Sequence, residues 1–276
     1  MSDNDEFTRN EILHKIQTSS SIPISPELFE QLYLAPKTNV KGQLRQTFGN
    51  PTPIALGGLL LCAMPLSMVL LGWQGAGGFG GAANVGSYFY LGGLLLILGG
   101  IGEWILGNTF PATVFSIFGG FWLSFGATIV PGYGAYGLYS VNGTSDPAQG
   151  LQEPAFFATF AFLLLGMALI CFFFAIASIR TNVVLLGILV LLVPAFACQS
   201  AWFFAISHGS PSASTYQHVG AGLFLAVSLL GWYIFLSLIL LSVDFPYTLP
   251  LGDLSTVIPG RTDRMRKVKA GEIASV

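Results

Sequence analysis

One carboxylate stands inside an otherwise uncharged apolar stretch: Glu103 follows Leu94-Leu95-Leu96-Ile97-Leu98-Gly99-Gly100-Ile101-Gly102. An acid at membrane depth is a functional group by default. Glu103 could carry a proton alongside a substrate, or it could sit at the edge of its helix, capping the next one or pairing with Arg180. Gln199, within Ala197-Cys198-Gln199-Ser200, could hydrogen-bond a substrate or hold two helices together. A second group precedes apolar runs: Asn50-Pro51-Thr52-Pro53, Asn108-Thr109-Phe110-Pro111 and Thr181-Asn182. Asn and Thr are good N-caps, and proline is tolerated in a first turn. A helix start carries about half a positive charge and unpaired N–H groups. Three such ends near one mouth would draw a carboxylate without an arginine in the bilayer. Pro51 and Pro53 lack N–H groups, which weakens the effect at the first. The Asn50 amide could cap the Thr52 N–H or face the mouth and bond an arriving anion.

Other chemistries are excluded. No hydrolase, kinase or redox motif appears, and no His/Cys/Asp/Glu set has metal-ligand spacing. No enzyme activity and no cofactor are therefore expected. Cys62, Cys171 and Cys198 all fall in apolar runs and read as small buried hydrophobes. No lysine lies between Lys41 and Lys267, so no retinal Schiff base can form within the apolar region. The same region has no basic stripe for nucleic acid.

The elements that must position these groups follow from charge and hydropathy. Of the chain's 276 residues, 53% are apolar and 9% charged, and mean hydropathy is +0.70. A soluble domain has about 25% charged residues. From Gln46 to Val243 the only charges are Glu103, Asp146, Glu153 and Arg180. This predicts an all-α membrane protein, a six-helix transmembrane bundle. The spans fall near Ile54–Gly72, Ser87–Gly107, Pro111–Pro131, Ala155–Ile179, Val183–Ser207 and Val219–Val243. Each is long enough for the roughly 20 residues that a bilayer core requires. Residues 46–243 form the membrane domain, between an N-terminal tail, 1–45, and a C-terminal tail, 244–276. The first 22 residues carry Asp3, Asp5, Glu6 and Glu11 and no apolar core, so no cleavable signal peptide is expected. Residues 1–24 read as disordered, and a short surface helix or a plain turn follows near Ser25–Tyr33.

With six spans, all 11 basic residues, Arg180 included, fall on one face. The positive-inside rule makes that face, and both termini, cytoplasmic. The sequon Asn142-Gly143-Thr144 then lies outside, as do His208 and His218, which could sense external pH. Glycine makes up 34 residues, crowded in the second and third spans, where small residues let helices approach closely.

Asn50-Pro51-Thr52-Pro53-Ile54-Ala55-Leu56 resembles the Asn-Pro-Ala-Pro-Leu-Gly-Leu signature of the acetate uptake transporter family. Glu103 with Gly107-Asn108-Thr109-Phe110, Phe121-Trp122-Leu123 and Thr248-Leu249-Pro250-Leu251-Gly252 resemble further motifs of that family. Thr52, Ile54 and Ala55 depart from the signature. The long N-terminal tail is more similar to the fungal members. The resemblance implies a homo-hexamer with one pore per protomer and a narrow point formed by a Phe, a Tyr and a Leu. Counting from the motifs puts Leu59 and Phe118 at the first two positions, and Leu192 or Leu191 at the third. The substrate pathway implied comprises Asn50, Leu59, Glu103, Asn108, Thr109, Phe118, Leu192 and Gln199.

The expected function is a plasma-membrane transporter or channel for acetate and related short monocarboxylates. Its partners are those anions, the lipid bilayer and other copies of the chain, not nucleic acid. An acetate-sensing regulator is the alternative, for which a tail with Ser19, Ser20 and Ser21 would suit. Ammonium export is a third, weakened by the lack of twin intramembrane histidines.

Overall fold

A computed structural model describes residues 48–141, 146–255, 257, 258 and 260. Six helices long and apolar enough to cross a membrane run through these residues, so the chain is a multi-pass membrane protein. They contain α1 (Thr52–Leu70), α2 (Leu96–Ile105), α3 (Thr109–Ile129), α4 (Pro154–Ser178), α5 (Val183–Ser207) and α6 (Ala213–Ser242). Helices are the economical solution in lipid, because each satisfies its own backbone N–H and C=O groups. Prolines sit where a helix start has no use for an N–H: Pro51 and Pro53 at α1, Pro154 at α4. Asn182 starts α5 by accepting from the Leu185 N–H at 2.8 Å.

The fifth span has the bounds expected of it. The sixth begins six residues before the expected Val219, at Ala213. Its first turns, Ser214-Thr215-Tyr216-Gln217-His218, are helical but polar, so an apolar run does not reveal them. The second span differs in kind. It runs Phe79–Ile105 and reaches α2 through a 3-10 turn, Phe79–Asn84, and a π-helical stretch, Tyr88–Leu95. The extra residue per turn places Gly92 against α3: a Cβ there would stand 2.7 Å from Trp122 Cγ. The surface segment near Ser25–Tyr33, the serines at 19–21, the sequon and every basic residue except Arg180 lie outside the described residues.

Neighbouring helices pack in the order α3, α2, α1, α6, α5, α4. Aromatic rings on α3 meet rings on α4 and α5. Phe125 meets Phe160 at 6.0 Å and Phe121 meets Phe196 at 5.4 Å between centroids.

Beyond α6 the chain turns back onto the bundle. Tyr233 Oη donates to the Pro250 carbonyl at 2.9 Å. The Val183 N–H donates to the Gly252 carbonyl, and the Leu254 N–H to the Thr181 carbonyl. An antiparallel bridge joins Asn182 and Asp253. Gly252 has φ +73°, and a Cβ there would stand 2.8 Å from Val183 Cγ2, so no other residue fits this crossing well. Leu251 is thereby buried.

Candidate functional site

Two layers of side chains matter: a polar joint at the face where α1, α3 and α5 begin, and a row of cavities, here called the passage, inside the bundle.

Glu103 builds the joint. It lies in the last turn of α2 and is 1% exposed. Its Oε1 accepts from the Thr52 hydroxyl, and its Oε2 accepts from Asn108 Nδ2 at 2.6 Å. The Asn108 N–H also donates to the Glu103 carbonyl at 2.8 Å. One carboxylate thus ties together the first residue of α1, the end of α2 and the residue before α3. Arg180 directs its Nε to the Ile258 carbonyl at 2.9 Å. Asn50 Oδ1 accepts from the Thr52 N–H at 2.9 Å, so its side chain closes the turn into α1. Thr109 is exposed, and its carbonyl accepts from the Thr113 hydroxyl.

The passage is a row of three cavities. The first, of about 40 Å³, is lined by Thr52, Pro111, Asn182 and Leu251. The starts of α1, α3 and α5 therefore converge on one space, each directing the positive end of its dipole there. The middle cavity, of about 120 Å³, shares Leu56, Val114, Phe115 and Leu185 with the first. The third, of about 350 Å³, shares Leu70, Gly80, Trp202 and Phe203 with the middle one and reaches Gln217 and His218. Adjacent cavities thus share lining residues along the bundle.

Leu59, Phe118, Leu192 and Gln199 all line the middle cavity; Leu191 does not. Phe118 faces Phe196 across 6.3 Å. Gln199 both lines the cavity and donates from Nε2 to the Gln217 carbonyl on α6 at 3.3 Å. Asn50, Glu103, Asn108 and Thr109 do not line any of the three cavities. His218 lines the third cavity, whereas His208 Nδ1 lies 2.7 Å from its own helix's Phe204 carbonyl.

Residues outside the expected pathway also belong to these walls, among them Thr52, Asn182 and Trp122. Thr52 and Asn182 face the first cavity, and their place at helix starts was the signal for them. Trp122 lines the middle cavity. Its Nε1 is buried and has no hydrogen-bond partner among the described residues. A buried donor left unpaired costs about 1–3 kcal/mol.

Chemically, the passage offers neutral donors, helix dipoles and hydrocarbon. No lysine or arginine lines it, and no His/Cys/Asp/Glu group suited to a metal occurs among the described residues. Such a wall suits a small solute with an apolar end and a weakly held polar one.

Known proteins share this architecture. The solved structure of the bacterial acetate channel SatP matches with a TM-score of 0.58 at 21% identity, over 74% of this chain and 99% of that one. In sequence, protein alcS of Aspergillus fumigatus is 42% identical over 238 residues, 86% of each chain. The acetate transporter protein patA of Aspergillus clavatus is 32% identical over 208 residues, 75% of this chain and 79% of its own. The resemblance carried by Asn50–Leu56, Gly107–Phe110 and Phe121–Leu123 is borne out. A family model matches residues 33–255, and the chain belongs to the GPR1/FUN34/yaaH family.

Proposed function

We propose that the protein is a plasma-membrane transporter or channel for acetate and related short-chain monocarboxylates. Each protomer of a homo-hexamer holds its own path, and both termini are cytoplasmic. The observation that carries this reading is the row of cavities through one protomer, entered where three helix starts converge. Relatives named as acetate transporters support the choice of anion. Driving an ion past apolar side chains strips water from it, at a cost of several kcal/mol unless donors replace that water. A carboxylate with a methyl group loses less there than chloride does, because half of it prefers hydrocarbon. Three helix dipoles at the entrance offset part of the remaining cost.

Purified protein in liposomes is expected to take up labelled acetate, with propionate competing. A protein that binds acetate but moves none is a sensor, and the transport reading then fails. Protection of tags at both ends from protease added to intact cells checks the orientation.

The entrance supplies a second test. Asn50→Asp keeps an oxygen for the Thr52 N–H, so its melting temperature should match the wild type. It adds a negative charge next to the entrance, so acetate uptake per folded protein should fall several-fold at low salt, where screening is weak. Asn50→Ala lacks the acceptor and should lose about 0.5–2 kcal/mol of stability. Uptake by Asn50→Asp equal to the wild type would show that the entrance tolerates fixed negative charge.

A further inference from the structure

We propose that the indole N–H of Trp122 is the hydrogen-bond donor that receives a substrate carboxylate in the middle of the passage. The inference rests on the reading of the protein as a carrier or channel for short monocarboxylates.

Trp122 is 4% exposed and lines the middle cavity. Buried indole N–H groups ordinarily find an acceptor; this one has none among the described residues. Two other polar groups on the same wall, Ser228 and Gln199, are engaged within the chain. The Ser228 hydroxyl donates to the Phe224 carbonyl at 2.8 Å, and Gln199 Nε2 donates to the Gln217 carbonyl at 3.3 Å. The Trp122 N–H is thus a donor that an incoming oxygen can take without displacing another bond that the chain makes.

The ring is held rather than free to turn. It stacks on Tyr88 at 5.2 Å and 26°, and lies edge-on to Phe121 and Phe125. Tyr88 is itself fixed by its hydroxyl, which donates to the Gly80 carbonyl at 2.9 Å. Gly92 leaves the space that the indole needs on the side of the second span. Trp122 follows Phe118 by one helical turn on α3, so the two present one face to the cavity. A passing carboxylate would place its oxygens at Trp122 while its alkyl end remains among Leu59, Phe118 and Leu192. The cavity, about 120 Å³ against roughly 30 Å³ for one water in the liquid, accommodates an anion of a few carbons. A neutral donor also suits conduction. It replaces part of the lost hydration yet holds the anion weakly enough to release it.

The test uses the full-length protein in two ways. Trp122→Phe keeps the ring and removes the donor. In liposomes its KM for acetate should rise roughly ten-fold or more, the usual worth of a bond to a charged acceptor, with melting temperature little changed. Independently, the wild type is labelled with 15N at its indole nitrogens. The Trp122 resonance, assigned by replacing Trp73, Trp104, Trp202 and Trp232 in turn with Phe, should move downfield as sodium acetate is added. A Trp122 resonance unmoved at saturating acetate overturns the proposal, whether or not Trp122→Phe folds. A folded Trp122→Phe with the wild-type KM overturns it too. Wild-type vesicles that take up no acetate would instead sink the functional reading, and the titration would still decide whether the donor binds the anion.

Discussion

Glu103→Ala is expected to leave little folded protein. The carboxylate is buried and accepts from both Thr52 and Asn108, which belong to the starts of two different helices. Alanine removes both acceptors and leaves a void where the side chain stood. Each buried donor deprived of its acceptor costs about 1–3 kcal/mol, a large share of the stability of any domain. Glu103→Gln keeps the volume and one acceptor oxygen, but its own amide then competes with the Asn108 amide for a place. It should fall between alanine and the wild type. Thermal unfolding of purified protein in detergent, followed by tryptophan fluorescence, orders the three. An alanine variant that melts with the wild type would show that the joint is not held by this carboxylate.

The second large effect concerns selectivity. Phe118 lines the middle cavity with Leu59 and Leu192 and meets the ring of Phe196. Phe118→Ala removes a whole ring from the wall, and the helices around it relax only in part. Bulkier carboxylates should then pass: the ratio of lactate to acetate uptake should rise roughly ten-fold or more, in line with what a few carbons are worth in an apolar pocket. Acetate uptake itself should change less, because the anion still meets Leu59 and Leu192. An unchanged ratio in a folded variant would remove Phe118 from the path.

What the sequence discloses, and what it hides, has a physical pattern. The spans are legible because crossing a bilayer demands long uncharged runs. The fifth is bounded cleanly, with Asn182 before it and His208-Gly209 after it. The sixth is misjudged at its start, because hydropathy sees apolarity and not helix, and Ser214–His218 are helical without being apolar. The π-helical stretch is invisible for a related reason: Tyr88–Leu95 reads as any other apolar run, and only its fit against α3 sets the winding. At the site, Leu59, Phe118 and Leu192 were reached through the family resemblance. Their side-chain types alone could not separate them from leucines and phenylalanines that face lipid. In a soluble helix the polar face marks the outside; here lipid is as apolar as the interior, so that mark is missing. Trp122 shows the limit best. It stands in a recognisable motif, but its unpaired N–H is a fact of three-dimensional packing.

The crossing of the chain's last described residues over the start of α5 bears on how the protein is assembled. Arg180 and Ile258 are 78 residues apart in sequence yet bonded, and between them lie exactly two membrane crossings, α5 and α6. The Val183 N–H and the Thr181 carbonyl receive their partners, Gly252 and Leu254, only after the sixth helix has been inserted and has returned the chain to its side of departure. These bonds act as a parity check on insertion. A chain that skipped either of the last two crossings would deliver Gly252 to the wrong side of the bilayer. Asn182 would then lack its antiparallel neighbour, and Leu251 would be absent from the wall beside Thr52. A topological error at the end of synthesis would thereby leave backbone groups unpaired at the start of α5.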